Sequence, residues 1–379
     1  MDVSNGQLEV RGVPYVDAAR RVCLGSLAAP LRLAGDRTMP PGTHMARWTG
    51  SVPCDASGRA LHEIVFRRRD AGIRDGRAPT YSLCARPLEG DPPDYHALIT
   101  MYAALISGHA DAVEPGVTAR VGRREGGDHG DRSPFAYVEN ASARAGIAHA
   151  TARLAGHRVA IVGMGGTGGY LLDQLAKTPV SRIHLVDDDL FEQHNAWRAP
   201  GAASRDELAS RLAKVAWFDR RYSVMHRGIV PHPVRLGPRT FSILDHVDFC
   251  FLCVDDGRAR EGIVRELERR DLPFIDTGLG LELAGSALVG AVRVTTSLPG
   301  ARSHVWEGGR VPMAGGGADD VYRTDIQTAE LNALAAILAV IRWKKAMGFY
   351  FDAEGELSTT FTVDGTHMLN EHLTGGGRG

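Results

Sequence analysis

Four glycines within six positions, set between a short apolar run and an amphipathic one, restrict the fold more than any other feature of the 379 residues. Val159 to Val162 reads as a buried strand. Gly163, Gly165, Gly166 and Gly168 follow, with Thr167 among them, and Tyr170 to Ala176 carries apolar residues at helical spacing. Ile183 to Val186 reads as the next strand and runs into Asp187, Asp188 and Asp189. The succession is one βαβ unit, the building block of a doubly wound α/β fold. Such a turn brings backbone N–H groups and a helix N-terminus up to a phosphate. Asp187 stands about where an acid holds a ribose, roughly 20 residues after the glycines.

The residues that follow bear on which nucleotide is bound. Asp189, Asn195 and Arg198 come two, eight and eleven positions after Asp187. A dinucleotide oxidoreductase uses one acid here and has no task for an Asn and an Arg so placed. A triphosphate site does: Arg and Asn can neutralise and position phosphate oxygens. An NAD-dependent oxidoreductase and a catalytically silent nucleotide-binding adaptor stay open as alternatives.

The motifs GMGGTG and DDDLFEQHNAWR resemble the nucleotide site of the ThiF/MoeB/HesA adenylyltransferases, the group that includes ubiquitin-activating enzymes. The likeness covers roughly residues 138 to 350. It implies ATP held by Gly163, Gly165, Gly166, Thr167 and Gly168, with Asp187 on the ribose, Asp189 as the second acid of the family's D-x-D pattern, and Asn195 and Arg198 on the phosphates. It implies a phosphate-contacting Lys, for which Lys214 is the match, and Mg²⁺ on Asp255 at the end of the strand Asp248 to Val254. Asp256 replaces the family's Asn, and Arg260 matches an Arg of the family. An Arg on a helix preceding the first strand crosses a dimer interface in such enzymes; within Phe135 to Leu154, Arg144 is the candidate. The zinc site of many relatives has no counterpart, because Cys250 and Cys253 point to opposite faces of an extended strand and no second C-x-x-C exists. The crossover segment Leu298 to Tyr322, where relatives often carry an acceptor cysteine, has none. Thr324 is a candidate hydroxyl acceptor, and an N-cap of the following helix, Ile326 to Met347, is the alternative role.

The activity implied is ATP-dependent adenylation of the C-terminal carboxylate of a ubiquitin-like protein ending in glycine, by a homodimer able to work with a downstream conjugating protein. Activation of a sulfur carrier or of a short peptide are the neighbouring possibilities. A length of 379 residues with 44% hydrophobic content suggests about two domains: an α+β domain over 1–113, a linker over 114–134, and the adenylation domain over 135–379. In the first domain His44 to Val52 and Leu61 to Phe66 read as strands and Tyr95 to Gly108 as a helix. The stretches HMARWTGSVPCDASG, YSLCARP and DYHALITMY resemble an uncharacterised N-terminal domain that accompanies ThiF-type domains in bacteria. His44, Cys54 and Cys84 suggest a thiol site or, alternatively, ordinary buried residues. A net charge of −1 gives no reason to expect nucleic acid or a charged membrane surface. Five cysteines without a disulfide framework, no signal peptide and no spanning run suggest a cytoplasmic protein.

Overall fold

The computed structural model of the chain describes residues 2–4, 6–69, 80–85, 90–119, 133–307, 310–313 and 326–371. The chain divides into two compact units, Met1–Arg132 with Tyr137–Ala148, and Ser133–Ala136 with His149–Gly379.

The first unit is built on a six-stranded antiparallel sheet packed against the helix Tyr95–Val113. Its strands lie in the order Asp2–Ser4, Gln7–Val16, Val22–Pro30, Met45–Thr49, Thr80–Cys84, Val65–Arg69. The helix Tyr95–Val113 buries Tyr95, Leu98, Ile99, Tyr102, Ile106 and Ala110, a stripe at spacings of three and four. Asp94 caps it by accepting from the Ala97 N–H at 2.7 Å. The stripe packs on Leu8, Val13, Leu27, Trp48 and Leu83 of the sheet. Leu61 to Ile64, expected in a strand, form a turn, and the strand begins at Val65. Of the expected linker, residues 120–132 lie outside the described residues.

The second unit is the α/β fold read from the glycine motif. Eight strands lie in the order Ile229–His232, Arg182–Val186, Arg158–Val162, Phe249–Leu252, Phe274–Ala284, Ala287–Ser297, Ser358–Thr362, Met368–Glu371. The first five are parallel and the remainder antiparallel. Alternate residues of the central strands feed two cores. Val159, Ile161, Ile183 and Phe251 pack with the helices Gly166–Leu175, Lys214–Tyr222 and Ala329–Ala346. Ala160, Val162, Cys250 and Leu252 pack with Ile263, Val264 and Leu267 of the helix Gly257–Arg269. Helices therefore cover both faces. The chain leaves the Arg158–Val162 strand toward one edge and returns beside it as Phe249–Leu252. The carboxyl ends of these two strands form the crevice where doubly wound sheets bind ligands.

Two expected helices come out differently. The Ala-rich stretch before the first strand is two short helices, Ala141–Ala145 and Ala148–Ala152, separated by Gly146 at φ 74°. Near the C-terminus the helix is Ala329–Ala346, and its buried face is Leu331, Asn332, Ala335, Ala336, Ala339, Val340, Arg342 and Trp343. Ile337 and Ile341, expected inside, are partly exposed. Ala335, Ala336 and Ala339 turn inward in place of Ile337 and Ile341, and the helix packs closely on the glycine-rich Gly166–Leu175 helix, where a Cβ on Gly166 would stand 2.3 Å from Asn332.

Candidate functional site

In the glycine turn, Gly163 and Gly168 press against backbone, and Gly166 against the buried Asn332 side chain. Gly163 has φ 91°, and a Cβ on it would stand 2.5 Å from the Cys253 carbonyl oxygen. A Cβ on Gly168 would come within 1.9 Å of the Gly163 carbonyl oxygen. Gly165 is different: the space its side chain would fill is open. The first two glycines let the turn close on the neighbouring strand, and Gly165 keeps the mouth of the crevice clear ahead of the Gly166–Leu175 helix.

Asp187 holds that turn from the adjacent strand end. Its carboxylate accepts from the Met164 N–H at 2.7 Å and the Asp189 N–H at 2.8 Å. Burial pushes its pKa up, against the opposing pull of the Lys214 ammonium. Lys214 begins its helix with only 9% of its side chain exposed, 2.7 Å from an Asp189 oxygen and 3.7 Å from an Asp187 oxygen. Among the described residues, Asp187, Asp188 and Asp189 form a carboxylate group compact enough for a cation, though Lys214 already offsets part of its charge.

Arg198 lines the crevice with Gly165, Asp187, Lys214, Arg235 and Asp255. Its Nε is buried and has no hydrogen-bond partner among the described residues. A guanidinium nitrogen removed from water without an acceptor is costly, so the group is suited to an anion entering the crevice. Val234, Leu236 and Ile263 give the same crevice an apolar wall.

Asn195 is placed elsewhere than expected. It is 3% exposed, does not line the crevice, and its Oδ1 accepts from the Glu192 N–H at 2.9 Å to close the cap of the short helix Gln193–Ala196. Its side chain shapes the loop that carries Arg198. Asp255 is exposed in the crevice, while Asp256 caps the Gly257–Arg269 helix by accepting from Arg258 and Ala259. Asp and Asn cap equally well, which accounts for the exchange of one for the other. Arg260 turns inward. With Arg293 it pairs with the fully buried Asp276 at 3.2 and 2.7 Å. Arg144 lies exposed on the Ala141–Ala145 helix in the other compact unit. Thr324 lies outside the described residues.

A second cavity of about 270 Å³ opens beside the first and shares Thr167, Cys253, Val254, Asp255 and Gln327 with it. Its own walls include Thr277, Gly278, Leu279 and Asn332. Burial pushes the Cys253 thiol up to about 12, and the Thr277 hydroxyl donates to its sulfur at 3.3 Å. Asn332, buried on the Ala329–Ala346 helix, accepts from the Thr167 hydroxyl at 2.8 Å. Asn332, Gln327 and Arg235 escaped the sequence reading. A polar Asn on an otherwise apolar helical stripe was the one available signal.

Comparison with known proteins divides the chain in a similar way. Residues 1–140 match a domain of unknown function (DUF6791), and residues 139–299 match the ThiF family. The uncharacterized protein y4qC of Sinorhizobium fredii (strain NBRC 101917 / NGR234) is 29% identical over 152 residues, 36% of this chain and 25% of that protein. The chain thus matches about a quarter of that relative's length. Similar solved structures include PaaA, at 19% identity and a TM-score of 0.44, covering 59% of this chain and 66% of that one. Escherichia coli MccB with ATP is similar at 15% identity and a TM-score of 0.47, covering 60% and 67%. No helix of the described residues is long and apolar enough to cross a membrane.

Proposed function

We propose that this chain, which carries a ThiF family domain at residues 139–299 behind an N-terminal domain of unknown function, is an adenylyltransferase that activates the C-terminal carboxylate of a ubiquitin-like protein ending in glycine. The observation that carries the reading is Arg198, whose buried Nε has no partner among the described residues, lining together with Lys214 a crevice whose mouth is kept open at Gly165. ATP would lie with its phosphates toward Gly165, Arg198 and Lys214, its ribose at Asp187 and its base against Val234, Leu236 and Ile263. Asp255 would hold Mg²⁺, which offsets phosphate charge.

A peptide C-terminal carboxylate, with a reference pKa of about 3.3–3.7, is ionised at neutral pH and needs no general base. The difficulty is bringing it to another anion. Arg198 and Lys214 would offset that repulsion and stabilise charge in the transition state. The carboxylate attacks the α-phosphate, pyrophosphate leaves, and an acyl-adenylate remains. The second cavity, which shares wall residues with the first, would take the substrate's tail. A homodimer in which Arg144 serves the neighbouring copy belongs to the same proposal. Mixing Arg144→Ala with Asp255→Ala protein should then restore part of the lost activity.

ATP–pyrophosphate exchange, stimulated by ubiquitin-like proteins with an intact terminal glycine and not by forms lacking it, is the expected result. Exchange driven equally by unrelated short peptides would remove the ubiquitin-like substrate. Calorimetry showing NAD bound more tightly than ATP would remove the adenylation reading altogether.

A further inference from the structure

The N-terminal unit contains a second constellation that the adenylation site does not use. The Thr80–Cys84 strand pairs antiparallel with Met45–Thr49, with Met45 opposite Cys84. Cys84 therefore ends its strand beside His44, the residue before Met45. The Cys84 sulfur is 3.4 Å from His44 Nε2, and His44 Nδ1 is 3.2 Å from an Asp91 carboxylate oxygen. Tyr102, fully buried on the Tyr95–Val113 helix, fixes the pair from below. Its hydroxyl donates to the His44 carbonyl at 2.6 Å and accepts from the Ala85 N–H at 2.8 Å. The site faces solvent: Cys84 is half-buried, and the His44 and Asp91 side chains are 24% and 58% exposed.

Thiol, imidazole and carboxylate in this order have the geometry of an activated nucleophile: a base within reach of the thiol and an acid orienting the base. The other cysteines lack it. Cys54 and Cys250 are buried, with pKa values raised by that burial, and Cys253 is likewise pushed up to about 12. Cys23 faces the Asp17 carboxylate at 3.9 Å.

We infer that Cys84, with His44 as base and Asp91 orienting it, is a nucleophilic thiol that accepts an activated acyl group as a thioester; the source of that group rests on the adenylation proposed above. His44 takes the thiol proton, and the thiolate attacks the acyl carbonyl of the acyl-adenylate. The carbon–sulfur bond forms as the bond from carbon to phosphate oxygen breaks. AMP leaves with the electron pair, and His44 releases its proton to solvent.

The test uses the full chain and two probes that bypass ATP. Site-resolved mass spectrometry after iodoacetamide treatment at pH 7 should show Cys84 alkylated faster than Cys23. The rate should fall about tenfold in His44→Gln, the range expected when a thiol loses an activating imidazole, and several-fold in Asp91→Asn, whose exposed position spares the fold. A peptide ending in Gly-Gly, supplied as its mercaptoethanesulfonate thioester, should leave a hydroxylamine-labile adduct on Cys84 that is slowed in the same variants. Alkylation of Cys84 no faster than Cys23, with no adduct, overturns the assignment. Catalytic hydrolysis of the thioester overturns the acceptor role in favour of a thiol hydrolase. ATP–pyrophosphate exchange on the same wild-type protein reports separately on adenylation: an adduct without exchange upholds the thiol site and removes the acyl-adenylate as its source.

Discussion

Arg198 is the residue on which structural cost and functional demand part company. Its Nε is buried without a partner, so Arg198→Ala should leave the melting temperature of the ligand-free protein unchanged or slightly higher, while pyrophosphate exchange falls about 10²-fold, the usual loss when one donor to developing charge is removed. A melting temperature several degrees lower would show that the guanidinium has a structural partner. The glycines separate in the same way. Gly165→Ala meets open space and should fold normally with weakened ATP binding. Gly163→Ala must place a Cβ 2.5 Å from the Cys253 carbonyl oxygen at φ 91° and should lose at least about 2 kcal/mol of stability, measured by urea unfolding. Equal stability of the two variants would refute the division. The sequence showed which residues gather at the strand ends, because spacing along a βαβ unit sets that. It did not show that Asn195 closes a helix cap or that Arg260 pairs with Asp276. Those outcomes depend on which way a side chain turns once its neighbours have packed, and on Asp276, a residue distant in sequence with no motif of its own.

At the scale of elements, period-two burial made the central strands legible, and glycine spacing made the first helix legible. The Ala329–Ala346 helix was legible in extent but not in orientation. Leu331 and Ala335 of the expected face are buried, but the face is turned so that Ala336, Ala339 and Trp343 join them in place of Ile337 and Ile341, beside a glycine-rich neighbour. The edge of the sheet carries a pH-sensitive pair that pattern alone did not disclose. His184 and His232, on adjacent parallel strands, stack with ring centroids 5.2 Å apart, His184 Nδ1 lying 2.9 Å from His232 Nε2. Burial, then the neighbouring His232, lowers the His184 pKa to about 4, and burial lowers that of His232. A histidine depressed in the folded state contributes stability that is present above its unfolded pKa of about 6.5 and lost as pH falls toward the folded value. Between pH 6.5 and 4 the wild type should therefore lose on the order of 2–3 kcal/mol more than His184→Gln. Denaturant unfolding at pH 7 and pH 4.5 reads this directly, and parallel losses in the two proteins would dismiss the pair as the cause.

For the whole molecule, the two compact units do not divide the chain at a single point. Ser133–Ala136 belongs to the second unit, where the Ala136 N–H donates to the Met225 carbonyl at 2.8 Å and the Phe135 ring meets His226 edge-on at 5.8 Å. Tyr137–Ala148 then returns to the first unit. There Asn140 Nδ2 donates to the Leu31 carbonyl at 3.0 Å, Arg47 donates to the Ala143 carbonyl at 3.2 Å, and Ala143 is fully buried. Gly6 fits only because it has no side chain: a Cβ would stand 2.4 Å from the Asn140 Cα. A fragment ending at Arg132 therefore lacks a segment that its sheet was shaped to receive, whereas one ending at Ala148 keeps it. Two hydrogen bonds at about 1 kcal/mol each give the longer fragment an expected melting temperature higher by roughly 5–10 °C. Asn140→Ala in that fragment should remove part of the difference. If both fragments melt together, Tyr137–Ala148 contributes nothing to the first unit, and the close fit at Gly6 has no energetic consequence.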